Sequence, residues 1–361
     1  MSFDMFIQHL FNALALGSLY GLIAIGYTMV YGILRLINFA HGDIFMLGAY
    51  FVFFSTVSFM PAWAAALILM LGVLVLSYTF ANKGSKIRIS SWIVAAVLGV
   101  AALYYGFIAP QDFTPLWALA VAFAIFATSA CGIAVDRAAY RPLREAPRIS
   151  ALISAIGMSF LIENLCIVLF TGLPRPVRQP EILVEPLVFE LGKAADGAVT
   201  ALHVVPLALI VPVITLALVL GLLWIIYRTK PGLAMRAISR DIETTRLMGV
   251  SVNKVIALTF GLGSALAAAA GIMWALRYPQ IHPYMGIIPG LKAFIAAVFG
   301  GIGSIQGAMI GGLLLGFIEI MIIAFFPTLS GYRDAFAFVL LIIILLWKPT
   351  GLLGEKMEEK I

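Results

Sequence analysis

The chain has 361 residues, of which 63% are hydrophobic and 11% charged, and its mean hydropathy is +1.07. That balance excludes a soluble globule and reads as membrane. The formal net charge of +6 does not mark a nucleic-acid surface, because the basic residues are scattered between apolar segments and form no single patch.

A helix that crosses the hydrocarbon needs roughly 20 mostly apolar residues, since lipid offers the backbone no other hydrogen-bond partner. Barrel strands would alternate apolar and polar residues, whereas a stretch such as 207–226 is continuously apolar. The sequence therefore predicts an all-α fold, a polytopic transmembrane helical bundle of about 9–11 spans forming one domain over residues 1–361.

The first span is expected over 10–31. The segment before it carries Asp4, has no basic run and no small-residue cleavage pattern behind it, so it is read as a retained span. Gly17 and Gly21 stand four apart, the spacing of close helix packing in membranes. Asn38, His41, Gly42 and Asp43 mark the junction with a second span at 41–59, which places Asp43 at the membrane interface. Spans at 62–80 and 91–109 enclose the basic turn of Lys83, Lys86 and Arg88, and 116–136 follows. In the span at 149–171, Glu163 stands beside Asn164 and after Ser154 and Ser159. A carboxylate there costs about 2.5–3.5 kcal/mol on insertion scales, so it faces either a polar pathway or a hydrogen-bond hub between helices. Cys131 and Cys166 lie inside apolar runs, where a thiol behaves as a small hydrophobe.

Segment 172–203 holds Pro174, Pro176, Pro180 and Pro186, then alternating apolar residues near 182–191. That pattern suits a short strand pair as well as a solvated linker. After a span at 204–227, segment 228–254 contains Ser239-Arg-Asp-Ile-Glu-Thr-Thr-Arg-Leu-Met-Gly249, read as one complete short helix. Asp241 caps its start, Glu243 complements the positive end, Arg246 sits late and Gly249 takes the left-handed stop. A rigid helix between two spans can transmit a partner's movement, although an ordinary loop helix carries the same signature. Spans at 255–276, 285–303, 305–326 and 334–348 complete the chain. Gly286, Pro289, Gly290 and Lys292 make 285–303 the candidate for a broken or re-entrant helix. Lys292 either snorkels or pairs with a carboxylate, and Glu319 is a further carboxylate at membrane depth. Gly303, Gly307 and Gly311, then Gly312 and Gly316, have the spacing of helix contact and not of a dinucleotide loop.

Lys and Arg near span ends are retained on the cytoplasmic side. Counting alternate loops puts Arg35, Lys83, Arg137, Arg141, Arg144, Arg228, Lys230, Arg246, Lys254, Lys348 and their basic neighbours on one side. The other side has Arg175, Arg178, Lys193, Arg277 and Arg333, together with Glu181, Glu185, Glu190 and Asp196. The amino end is expected in the periplasm and the carboxyl end in the cytoplasm.

The sequence contains no HExxH, GxSxG or CxxC pattern and no paired metal-ligand spacing, so no catalytic residue, metal site or cofactor is expected. The Walker A pattern is absent too. If ATP drives this chain, a partner holds the nucleotide.

Several stretches together carry a family resemblance: Leu16-Gly-Ser-Leu-Tyr-Gly-Leu-Ile-Ala-Ile-Gly-Tyr-Thr-Met-Val-Tyr-Gly32, Ile37-Asn-Phe-Ala-His-Gly-Asp43, Ala139-Tyr-Arg-Pro-Leu143, Ala151-Leu-Ile-Ser-Ala-Ile-Gly-Met-Ser159, Arg246-Leu-Met-Gly-Val250, Val255-Ile-Ala-Leu-Thr-Phe260, and Lys292-Ala-Phe through Val298-Phe-Gly-Gly-Ile-Gly-Ser304. Along nearly its whole length the chain resembles the branched-chain amino acid ABC-transporter permeases. The resemblance implies the inner-membrane permease subunit of an ATP-driven importer, moving branched-chain amino acids or similar small polar solutes from periplasm to cytoplasm. It also implies a second homologous permease subunit, two ATP-binding cassette ATPases and a periplasmic solute-binding protein, in a setting of membrane lipid and without nucleic acid.

In such importers a helix between two late spans carries glutamate, two small residues and, four positions after the second, glycine, and docks into the ATPase. Glu243, Thr244, Thr245 and Gly249 hold those places, with Asp241 and Arg246 completing the helix, and threonines stand where alanines are usual. Segment 228–254 is thereby the expected cytoplasmic coupling loop. Asn38, His41, Asp43, Glu163 and Asn164 are the candidate pathway residues. The chain is longer than typical members. The surplus falls near 62–110 and reads as an inserted helical hairpin that leaves the orientation of all later spans unchanged. An ion-coupled secondary transporter, using Glu163 or Glu319, is the alternative, and the solute stays open.

Overall fold

The computed structural model of the chain describes residues 3–56, 62–80, 117–177, 179–193, 199–348 and 350–354. The long apolar runs form α1 (Phe3–Leu34), α2 (His41–Thr56), α3 (Ala62–Phe80) and α4 (Trp117–Val135). A π turn (Asp136–Tyr140) and a 3-10 turn (Arg141–Leu143) continue α4 until Pro142 and Pro147 end the helical path. Then come α5 (Arg148–Phe170), the single turn α6 (Glu181–Val184), α7 (Pro206–Arg228), α8 (Lys230–Arg240) and α9 (Ile242–Leu247). The series closes with α10 (Val252–Arg277), α11 (Ile287–Gly300), α12 (Ile305–Phe325) and, after a 3-10 turn, α13 (Arg333–Trp347). Pro at the first positions of α7 and α8, and the Ser304 hydroxyl accepting from the Gly307 amide at 3.1 Å, fix three of the starts.

Among the described residues seven helical stretches are long and apolar enough to cross a membrane: α1, α4 with its continuation, α5, α7, α10, α12, and α13 with the turn before it. The fold is an all-α polytopic bundle. The expected span at 91–109, the basic turn at 83–88 and most of the 62–110 surplus lie outside the described residues. The segment expected at 285–303 is shorter than a crossing: α11 has 14 residues, about 21 Å at 1.5 Å per residue against roughly 30 Å of hydrocarbon. α2, with 16 residues, is short as well.

Burial is uneven among the spans. In α1 and α10 respectively, 94% and 83% of the apolar window is buried, against 6% in α13. α10 is rich in Gly, Ala and Ser from Gly261 to Gly271, which lets α1, α2 and α4 pack closely on it. The two small-residue series noted in the sequence meet each other. A Cβ placed on Gly17 of α1 would stand 2.7 Å from the Leu313 Cα of α12, and Cβ atoms on Gly312 and Gly316 would run into the backbone at Gly21 and Gly17. The first turns of the two short helices also touch: a Cβ on Gly42 would lie 2.6 Å from the Gly286 carbonyl oxygen.

One end of the bundle carries two small antiparallel strand pairs. β1 (Arg175–Pro176) pairs with β4 (Gln280–Ile281), and β2 (Leu187–Lys193) with β3 (Val199–Val204) through a bulge at Glu190/Gly192. Segment 172–203 therefore holds a strand pair, shifted later than the alternation at 182–191 because α6 takes the first of those residues. Gln8 donates to the His203 carbonyl at 3.1 Å and Arg277 to Asn12 at 3.0 Å, tying this end to α1. The opposite end, where α4, α7 and α8 finish and α10 begins, carries Arg137, Arg141, Arg144, Arg228, Arg240, Arg246 and Lys254 and is the basic end.

Candidate functional site

The residues between α1 and α2 turn back into the bundle. His41 packs edge-on against Tyr27, two turns back along α1, with ring centroids 4.6 Å apart. Asp43, expected at the membrane interface, is consequently buried at 2% exposure in the first turn of α2. Its Oδ2 accepts from the Ser159 hydroxyl of α5 at 2.5 Å, and Glu163, one turn further along α5, is buried on the same side. Ser159 and Glu163 lie four apart on one face of α5, whereas Asn164 is turned roughly 100° away. Asn164 is exposed and donates to the Phe160 carbonyl of its own helix at 2.7 Å. Asn38 is buried and accepts from the Tyr140 hydroxyl at 2.5 Å. Of the five candidate pathway residues, Asn38, His41, Asp43 and Glu163 are thus interior, while Asn164 sits among Phe160, Leu161, Leu165 and Val168 on the outward apolar face of α5.

A second polar cluster joins α1, α11, α12 and α13. Lys292 Nζ lies 2.8 Å from Glu319 Oε1 and 2.6 Å from Asp334 Oδ1. The Tyr20 hydroxyl donates to Glu319 Oε2 at 3.0 Å, and Arg333 Nε is 3.5 Å from Oε1. Lys292 therefore pairs and does not snorkel. Two cations face two carboxylates, which makes the cluster neutral where an isolated charge would be costly. Tyr20, Arg333 and Asp334 carried no sequence signal for this role. An aromatic in an apolar run and two charges at a span end look ordinary until the fold brings them to Lys292.

The third feature lies at the basic end. Within the stretch 239–249 the helix starts after Asp241, the residue expected to cap it, and is split there from α8. Ser239 and Arg240 finish α8, and Asp241 then leaves the helical region at φ −154° and ψ 111°. The split occurs because the Asp241 carboxylate takes the amides of Glu243 and Thr244 at 3.0 and 3.1 Å and the Thr244 hydroxyl at 2.8 Å, starting a new helix. Gly249 stops α9 at φ +81°, a conformation that strains any residue with a Cβ. Thr245 is buried while Glu243, Thr244 and Arg246 are exposed. Leu247 and Met248, which the sequence reading left without a role, are 86% and 79% exposed. Two adjacent apolar residues at the end of a short polar helix were the available signal. α8 rests on the bundle through Met235 and Ile238, with Gly232 against the backbone of α7.

The family model described as "Branched-chain amino acid transport system / permease component" matches residues 9–111 and 93–345. The chain is 39% identical over 356 residues to the high-affinity branched-chain amino acid transport system permease protein LivH of Salmonella typhimurium, covering 99% of this chain and 98% of the relative. It is 39% identical over 359 residues to the high-affinity branched-chain amino acid transport system permease protein BraD of Pseudomonas aeruginosa, with the same coverage. A shorter match, 33% identical over 121 residues, covers 32% of the chain and 38% of the ribose import permease protein RbsC of Escherichia coli. No solved structure matches the chain. A multi-pass α-helical bundle without enzymatic motifs, matched along nearly its full length by such relatives, belongs to the branched-chain amino acid transport permease family and is a transport subunit of the inner membrane, not an enzyme.

Proposed function

We propose that this permease component of an ABC importer carries leucine, isoleucine or valine into the cytoplasm, driven by two partner ATPases that grip α9. The names of the full-length relatives support the solute class. The observation that carries the coupling is α9 itself, a capped, stiff turn with Glu243, Thr244, Leu247 and Met248 outward. Three residues after Leu247 and its Met248 cap, α10 begins, the helix on which α1, α2 and α4 pack. A push on α9 therefore reaches the centre of the bundle through a very short link. The basic end faces the cytoplasm in this reading, and the strand pairs meet a periplasmic solute-binding protein.

The outward face of α5, apolar apart from Asn164, meets a second, homologous permease subunit, and the pathway runs along that seam. Ser159, Asp43 and Glu163 set the tilt of α5 from behind, with Asn38 and His41 shaping the start of α2. Membership of the family removes the ion-coupled alternative. Glu319, one of the two carboxylates it would have used, is already paired with Lys292.

The test is reconstitution of the complete importer with Glu243→Ala or Gly249→Val. Coupling energies of this kind correspond to roughly 5- to 150-fold effects. The expected outcome is uptake reduced within that range while the ATPases still hydrolyse ATP. An unchanged ratio of solute moved to ATP hydrolysed removes α9 from the coupling path.

A further inference from the structure

A cavity of about 280 Å³ opens at the basic end, between the end of α3, the π turn after α4 and the start of α10. Thr79, Asp136, Arg137, Arg141, Asn253 and Lys254 are among the residues that line it. Three of these are cationic. Among the described lining residues the one carboxylate is Asp136, held at 2.6 Å by Arg144, so that described lining is net positive. Arg137 lies over the Tyr78 ring at 3.9 Å and donates to Thr79 Oγ1 at 3.3 Å, and Lys254 Nζ donates to the Phe80 carbonyl at 2.8 Å. These contacts hold both cationic heads at the cavity wall, and Arg141 stands exposed at the rim. The first turn of α10 opens onto the same space. Its preceding residue, Ser251, makes no side-chain cap bond, so the positive end of a 26-residue helix adds to the cationic lining.

We propose that this cavity binds a phosphate group, with the headgroup of an anionic phospholipid in the adjoining leaflet as the source that its position at the helix ends favours. The forked guanidinium groups of Arg137 and Arg141 match a tetrahedral oxyanion, and Lys254 adds a point charge from the other wall. Bound there, the phosphate bridges α3, which starts the surplus segment, to the root of α10. The proposal does not depend on which solute is carried or on how α9 docks.

The full-length protein is placed in nanodiscs of mixed phosphatidylglycerol and phosphatidylcholine, and the lipid retained on release is read by native mass spectrometry. Phosphatidylglycerol is expected to be retained over phosphatidylcholine. Arg137→Gln and Arg141→Gln are each expected to lower that retention about fivefold, the worth of one basic residue at an anionic surface. Arg141→Lys restores much of it, and Arg236→Gln, on α8 outside the cavity, leaves it unchanged. Delipidated protein titrated with inorganic phosphate and followed by phosphorus NMR separates the sources. Phosphate binding that Arg141→Gln weakens assigns the site to soluble phosphate, and retention of phosphatidylglycerol without phosphate binding assigns it to lipid. Equal retention of the two lipids by the unsubstituted protein, with no phosphate binding, overturns the proposal without reliance on any variant. Retention indifferent to both glutamine substitutions overturns it as well.

Discussion

Lys292 and Glu319 stand 27 positions apart in the chain and 2.8 Å apart in space, and their side chains are 3% and 2% exposed. Removing one partner leaves the other buried and uncompensated, which typically costs about 3–5 kcal/mol. Lys292→Met is therefore expected to lower the thermal midpoint of the detergent-solubilised protein sharply. The double substitution Lys292→Met with Glu319→Leu is expected to recover most of the loss, because it removes both charges together. A double variant no better than the single one would show that the cluster holds the fold by packing alone. At this scale the sequence was informative about which residues are unusual and silent about which meet. Glu163 and Lys292 stood out as charges in apolar runs. That Glu163 faces Asp43 while Asn164 faces outward depends on where the fold sets α5 against α2, and local spacing carries no such distance.

At the scale of the element, α1 and α12 illustrate a contact whose two halves were legible separately. Gly17 and Gly21 on one helix, and Gly312 and Gly316 on the other, each have the spacing of a close approach, and the structure makes them one interface. Gly17→Val is expected to destabilise the bundle by about 1–3 kcal/mol, as overpacking does, because the new side chain meets the backbone of Leu313. A melting curve that matches the unsubstituted protein would mean that the helices stand further apart than the structure places them. The same scale contains a boundary that was legible: α9 starts after Asp241 and stops at Gly249, where the residue types placed its ends. Asp241 was identified as a cap, but a residue that starts one helix by leaving another also ends its predecessor. The preceding run 230–240, which makes α8, was not singled out, although Met235 and Ile238 stand three apart on the face that rests on the bundle.

For the whole molecule, composition was enough to specify a helical membrane bundle. The ends of most expected spans agree with the helices to within a few residues, because apolar runs and Pro or Gly breaks are local features. The tie between β1 and β4 was not legible, since Arg175 and Ile281 are separated in the chain by five helices. Orientation, proposed from the uneven spread of Lys and Arg, is open to direct measurement. In a background with Cys131 and Cys166 replaced by serine, Leu173→Cys is expected to react with an impermeant maleimide in intact spheroplasts, and Arg246→Cys only after permeabilisation. The reverse pattern would turn the protein over. The meeting of α2 and α11 at Gly42 and Gly286 has a further consequence. The two short helices touch start to start, and each start carries roughly half a positive charge from its aligned peptide groups, so about one elementary positive charge is fixed where Asp43 sits. Among the described residues no lysine or arginine pairs with Asp43 or Glu163. The positive field facing these two side chains is supplied by the backbone itself, which offers no side chain to substitute.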